Sequence, residues 1–182
     1  MLDYMHTPRG TMSVPIPRPE DIHLEDIARA LSLTVRWRGF SKKGSVGEGL
    51  VINVAAHSIG VADALEPKHR IHGLLHDAAE AYISDIPTPW KQRAPELGLM
   101  ELDVLFVIYD ALGVPQPDEE AVTAVHLADS LVGERERRVL FEDSADIGAR
   151  AYIRYCGEYS FYSPCEWHRQ YVDAVKQELK QC

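Results

Sequence analysis

Residues 72–80 read His72-Gly73-Leu74-Leu75-His76-Asp77-Ala78-Ala79-Glu80: two histidines and two acids among small and apolar neighbours. On a helix, Glu80 falls four residues after His76 and three after Asp77, so these side chains share one face. Ile71, Leu74 and Ala78 take the opposite side, and Leu75 and Tyr82 add apolar surface. The pattern predicts a central helix over residues 68–83, buried nearly all round. Placing His, Asp and Glu together inside is costly unless something offsets their charge. A bound cation would.

Upstream, the apolar spacing predicts a helix over residues 49–65, with Leu50, Val54, His57, Val61 and Ala64 on one stripe. Downstream, residues 84–89 (Ser-Asp-Ile-Pro-Thr-Pro) end the central helix, because two prolines in three residues preclude continuation. A helix over residues 98–112 is closed by Gly113 and Pro115. Asp118-Glu119-Glu120 opens a long helix reaching Phe141, its acids matching the N-terminal dipole. Asp129 lies between Val125 and Val132 on the inward face of that helix. Helices are also expected over residues 23–33, where Ile27, Ala28 and Leu31 align, over 147–155 more weakly, and over 166–180. Valine-rich alternation of the strand kind is missing. The expectation is an all-α, single-domain helical bundle: a Pro-rich arm over residues 1–22, docked or mobile, and a helical domain over 23–182.

A lone histidine on an apolar face is usually a satisfied core residue, and a lone inward aspartate usually binds a helix end or an arginine. Two imidazoles and two carboxylates on three inward faces are harder to explain separately. His57, His76, Asp77 and Asp129 therefore form a candidate metal set. Nitrogen and oxygen ligands without thiolate suit one divalent Mn, Fe, Co, Ni or Zn ion. The cysteines (Cys156, Cys165 and Cys182) lie far along the chain, and their odd number without metal spacing suggests free thiols in a reduced, cytoplasmic setting.

Composition narrows the partners. At 182 residues, with 46% apolar and 26% charged residues, the chain suits one globular domain. A net charge of −9 argues against a nucleic-acid partner, yet leaves room for a small phosphorylated substrate that needs only local cations. No apolar run reaches the roughly 18 residues of a membrane span. Trp90 is expected among the core aromatics, and His69, His72 and His126 in hydrogen-bonded or surface roles.

At these residues the sequence resembles the HD-domain phosphohydrolase superfamily, whose pattern of a histidine, then His-Asp, then a distant aspartate is met by His57, His76-Asp77 and Asp129. Three stretches resemble the small bacterial 5′-deoxynucleotidase branch: Arg36-Trp37, HDAAEAYISDIPTPWK over residues 76–91, and Ala128-Asp129-Ser130-Leu131. The branch reads HD-x-x-E…GD-x-PTP-x-K in the second of these. The likeness covers residues 24–141, with Ala56 where the branch has a glutamate and a shorter interval from His57 to His76. It implies that Glu80 and Asp85 manage the attacking water and the leaving group, that Arg36 and Lys91 hold phosphate, and that Trp37 presses on the sugar. The implied substrate is a nucleotide, a deoxynucleoside 5′-monophosphate first; a triphosphohydrolase or a non-catalytic metal-stabilised binding domain are the alternatives. A homodimer or higher homo-oligomer is implied too. No Gly-Tyr-Pro follows the His-Asp pair, and Ala81 follows Glu80, which disfavours cyclic-dinucleotide and guanosine-tetraphosphate hydrolases respectively.

Overall fold

The computed structural model describes residues 4–14, 17–42, 51–142 and 164–181. Its helices are α1 (Leu24–Leu33), α2 (Val54–Asp63), α3 (Arg70–Leu75), α4 (Glu80–Ile83), α5 (Thr88–Lys91), α6 (Pro95–Leu112), α7 (Glu119–Phe141) and α8 (Pro164–Leu179). The fold is all-α apart from a two-stranded antiparallel hairpin, β1 (Tyr4–Thr7) and β2 (Gly10–Ser13). That hairpin lies within the Pro-rich arm. Its pairing sets Met5 opposite Met12, and the buried Met12 side chain joins the main core, so the arm docks.

The element packed most closely is α2, which contacts α1, α3, α7 and α8. It takes the central place expected of the helix over 68–83. Small residues make this possible: Ala55, Ala56, Gly60 and Ala62 are all buried on it. Gly73 of α3 meets it closely, since a Cβ there would lie 2.6 Å from Leu65 Cδ1 and 3.0 Å from Ala62 Cα. The start of α2 is set by Asn53, whose side-chain oxygen accepts from the Ala56 amide at 2.8 Å, an ordinary N-cap. Residues 49 and 50 of the expected helix lie outside the described residues, and Ala64 is exposed rather than on the buried stripe.

The single helix expected over 68–83 is broken. After Leu75 the chain turns through residues 76–79 before α4 begins, with tighter bonds such as Ala78 N to Leu75 O at 2.9 Å and Glu80 N to Asp77 O at 3.0 Å. Side chains satisfy the carbonyls near the break: Tyr171 Oη donates to Leu74 O at 2.7 Å, and His76 Nδ1 donates to Gly73 O at 2.8 Å. His76 thus helps to end its own helix. The long helix follows expectation, with Asp118 capping the Ala121 amide at 2.8 Å; α6 ends on Gly113 in the left-handed region, φ 67°. The expected helix over 147–155, Cys156 and Cys182 fall outside the described residues, and Cys165 is an exposed thiol. Among the described residues, no helix is long and apolar enough to cross a membrane.

Candidate metal centre

Three elements converge on one point. α2 brings His57, the turn after α3 brings His76 and Asp77, and α7 brings Asp129. His57, His76 and Asp129 each offer a ligand atom within 4.8 Å of the others, a cluster that could hold a metal ion. His57 Nε2 lies 3.0 Å from Asp129 Oδ1, and His76 Nε2 lies 3.9 Å from the same oxygen. Asp77 Oδ2 sits 3.2 Å from His76 Nε2 and 3.8 Å from His57 Nε2.

The donor chemistry fits a cation. Because Gly73 O can only accept, His76 carries a proton on Nδ1, and the neutral ring then presents an Nε2 lone pair. That Nε2 is buried and has no hydrogen-bond partner. His57 is fully buried, with Nδ1 donating to Glu136 Oε1 at 2.8 Å. A carboxylate behind a ligating imidazole is the usual arrangement for fixing its orientation.

Glu136 was not among the sequence candidates. It is buried completely, and its second oxygen accepts from Arg36 Nε at 2.9 Å and Trp37 Nε1 at 3.0 Å. Burial alone would raise its pKa, but His57, Arg36 and Trp37 outweigh burial and hold it at about 2. Burial likewise disfavours a charged His57, yet Glu136 and Asp129 raise that ring to about 9 against the opposing Arg36. For Asp77 and Asp129, burial is outweighed by the neighbouring imidazoles, and both carboxyls are held below their ordinary range.

The turn carrying Arg36 and Trp37 is tied to the start of α2 by Arg36 N to Ile52 O at 2.9 Å and Val54 N to Thr34 O at 3.0 Å. Trp37 and Arg38 both adopt φ 57°, ahead of Gly39 at 71°. Such non-glycine conformations cost roughly 1 kcal/mol or more each. The bond from Trp37 to Glu136 helps to hold this strained turn. Arg36 Nη1 also reaches Asp77 Oδ2 at 3.5 Å, so its guanidinium is committed to two carboxylates.

An open cleft of about 450 Å³ extends from the centre. Asp77, Glu80, Asp85, Lys91 and Asp129 line it, together with Arg36 and Trp37, so the sequence candidates other than His57 and His76 share its wall. Exposed Arg38 and Phe40 stand at its rim. Glu80 is buried; its burial, and then Asp77 and Asp85, push its pKa well up. Burial pushes Asp85 up as well. Trp90 does not join the core: it is 66% exposed, on a short helix whose inner side is taken by Lys91. His72 Nδ1 lies 3.4 Å from Tyr109 Oη, His69 is buried and His126 exposed.

The chain is similar to uncharacterized protein YfdR of Escherichia coli (strain K12), at 32% identity over 121 residues, which are 66% of this chain and 62% of that protein. It is also similar to an uncharacterized protein of Rhodobacter capsulatus, at 35% identity over 94 residues, 48% of this chain and 45% of the relative. The alignments thus span about three fifths and just under half of the relatives' lengths. No protein-family model matches.

Proposed function

We propose that the protein is a metal-dependent phosphohydrolase of the HD-domain type acting on a small nucleotide, a deoxynucleoside 5′-monophosphate first. The observation that carries this reading is the meeting of His57, His76 and Asp129 at the head of a cleft that also holds buried acids and basic residues. Asp77 completes the ligand set. A divalent cation held there would lower the pKa of water and neutralise phosphoryl oxygens.

The chain supplies the rest. Glu136 orients His57 and, through Arg36 and Trp37, fixes the wall beside Asp77. Glu80 and Asp85, both raised by burial, hold protons more readily than ordinary carboxyls and suit proton delivery to a leaving oxygen. With Arg36 engaged by Glu136 and Asp77, Lys91 and Arg38 are the cleft cations placed to meet a phosphate. The Trp37 ring, edge-on to Phe141 at 5.5 Å, offers a flat wall for the sugar.

The test is a panel of Mn, Co, Ni and Zn against dAMP, AMP, dATP and ATP, measuring phosphate, pyrophosphate and triphosphate release. The expected outcome is phosphate release, fastest from dAMP, with a loss of about 10²-fold or more in Glu80→Gln at unchanged metal content. Triphosphate release from dATP would move the assignment to a triphosphohydrolase. Metal binding without turnover of any member would overturn the enzyme reading in favour of a metal-stabilised binding domain.

A further inference from the structure

Behind the cleft lies a smaller chamber of about 110 Å³, walled by His76, Asp77, Glu80, Lys91 and Glu101, with Leu102 and Leu105 as apolar lining. Asp77, Glu80 and Lys91 border both spaces, so they form the partition between them. Glu101 is the newcomer. It belongs to no motif, and it comes from α6, which lines the chamber but gives no residue to the cleft wall.

Lys91 Nζ lies 2.7 Å from Glu101 Oε2 and 3.9 Å from Glu80 Oε1. The first distance is that of a strong charge-assisted hydrogen bond; the second is a bare ion-pair approach. The other oxygens of these two acids, Glu101 Oε1 and Glu80 Oε2, are buried without a hydrogen-bond partner. The ammonium therefore has two candidate carboxylates and is bound firmly by one. We propose that Glu101 is a positioning residue, which anchors the Lys91 ammonium in the partition and keeps it from collapsing onto Glu80. This rests on the phosphohydrolase reading, and it gives the cleft a fixed cation for the phosphate while leaving Glu80 to exchange protons.

The reason is competition for one charge. Without a carboxylate at position 101, the nearest acid to Lys91 is Glu80, which would give up its proton to pair with the ammonium. An ion pair there would occupy the acid and spend on it the positive charge that the ammonium offers a phosphate. Arg36 cannot replace it, being held by Glu136 and Asp77.

A double-mutant cycle tests the idea with wild type, Glu101→Gln, Lys91→Met and the double variant, all metal-loaded. Two quantities are read: kcat/KM on the best phosphoester, and the affinity for inorganic phosphate by calorimetry. Glu101→Gln is expected to lower both by about 10-fold or more, the scale of one hydrogen bond to a charged group. In the Lys91→Met background it should change neither by more than about twofold, since coupled residues do not add. Equal losses in both backgrounds, or no loss in either, would overturn the proposal. If Glu101→Gln fails to fold, Glu101→Asp closes the same cycle. Normal phosphate binding and coupling with no phosphoester turned over would sink the function but keep the positioning role; turnover unaffected by position 101 would do the reverse.

Discussion

His57 Nδ1 donates to one oxygen of Glu136, and the other oxygen takes Arg36 Nε and Trp37 Nε1. One carboxylate thus joins three residues that are distant from it in sequence and holds His57, a candidate ligand, in one orientation. A glutamine in its place keeps the shape but loses the charge, and its amide nitrogen would meet a donor instead of accepting from it. Glu136→Gln is therefore expected to weaken cation binding about 10- to 100-fold, the usual cost of losing a partner behind a metal ligand. Titration calorimetry with Mn²⁺ checks this, and unchanged affinity would show that the contact is mere packing. The residue was half legible in the sequence. It continues the buried stripe Val125, Ala128 and Val132 of α7, but a glutamate in that register looks like a solvated interruption until its partners, some 80 to 100 residues upstream, are known.

Helix limits were readable where a local device sets them. Asp118 caps α7, Gly113 closes α6, and Ile27, Ala28 and Leu31 mark the inner face of α1, all within a few residues of the boundary they fix. The break after Leu75 was not readable, because Tyr171, which takes the Leu74 carbonyl, comes from α8. The hairpin was obscured because its strands have four residues each and carry little alternation. The end of α4 adds a strained element: Ser84 sits at φ 80°, ψ 158°, a region normally left to glycine. Such a conformation costs about 1–3 kcal/mol, and glycine gives back roughly 0.5–1 kcal/mol through the more flexible unfolded chain. Ser84→Gly should stabilise the protein by about 1 kcal/mol, raising Tm by about 2–4 °C in a thermal melt. A fall in Tm, as for glycine at an ordinary site, would show that Ser84 is not strained.

At the scale of the molecule, the centre ties together α2, the turn after α3, and α7, whose contributions span residues 57 to 129. A cation binding there favours the folded chain over the unfolded one, by about 2.7 kcal/mol at a concentration 100 times its Kd. Tm should rise by roughly 5–10 °C on loading for a chain of this size, and a chelator should reverse the rise. Both nitrogens of His57 face carboxylate oxygens, and the ring is held protonated up to about 9. To coordinate, it must give up the Nε2 proton while keeping the one shared with Glu136. The sign follows. The raised pKa makes protonated His57 a stabilising group of the protein alone at low pH, a contribution lost as pH rises through about 9. The cation competes with that proton, so its affinity should climb by about one decade per pH unit across the neutral range and level off near 9. Glu136, Asp77 and Asp129 are held low and add no proton to displace there. The gain in Tm on adding Mn²⁺ should therefore be small at pH 6 and larger at pH 8. Calorimetry in buffers of different ionisation enthalpy should find at least one proton released per ion at pH 7.5. A pH-independent affinity with no proton release would mean that His57 is not a ligand, and that the cation, if bound, rests on other groups.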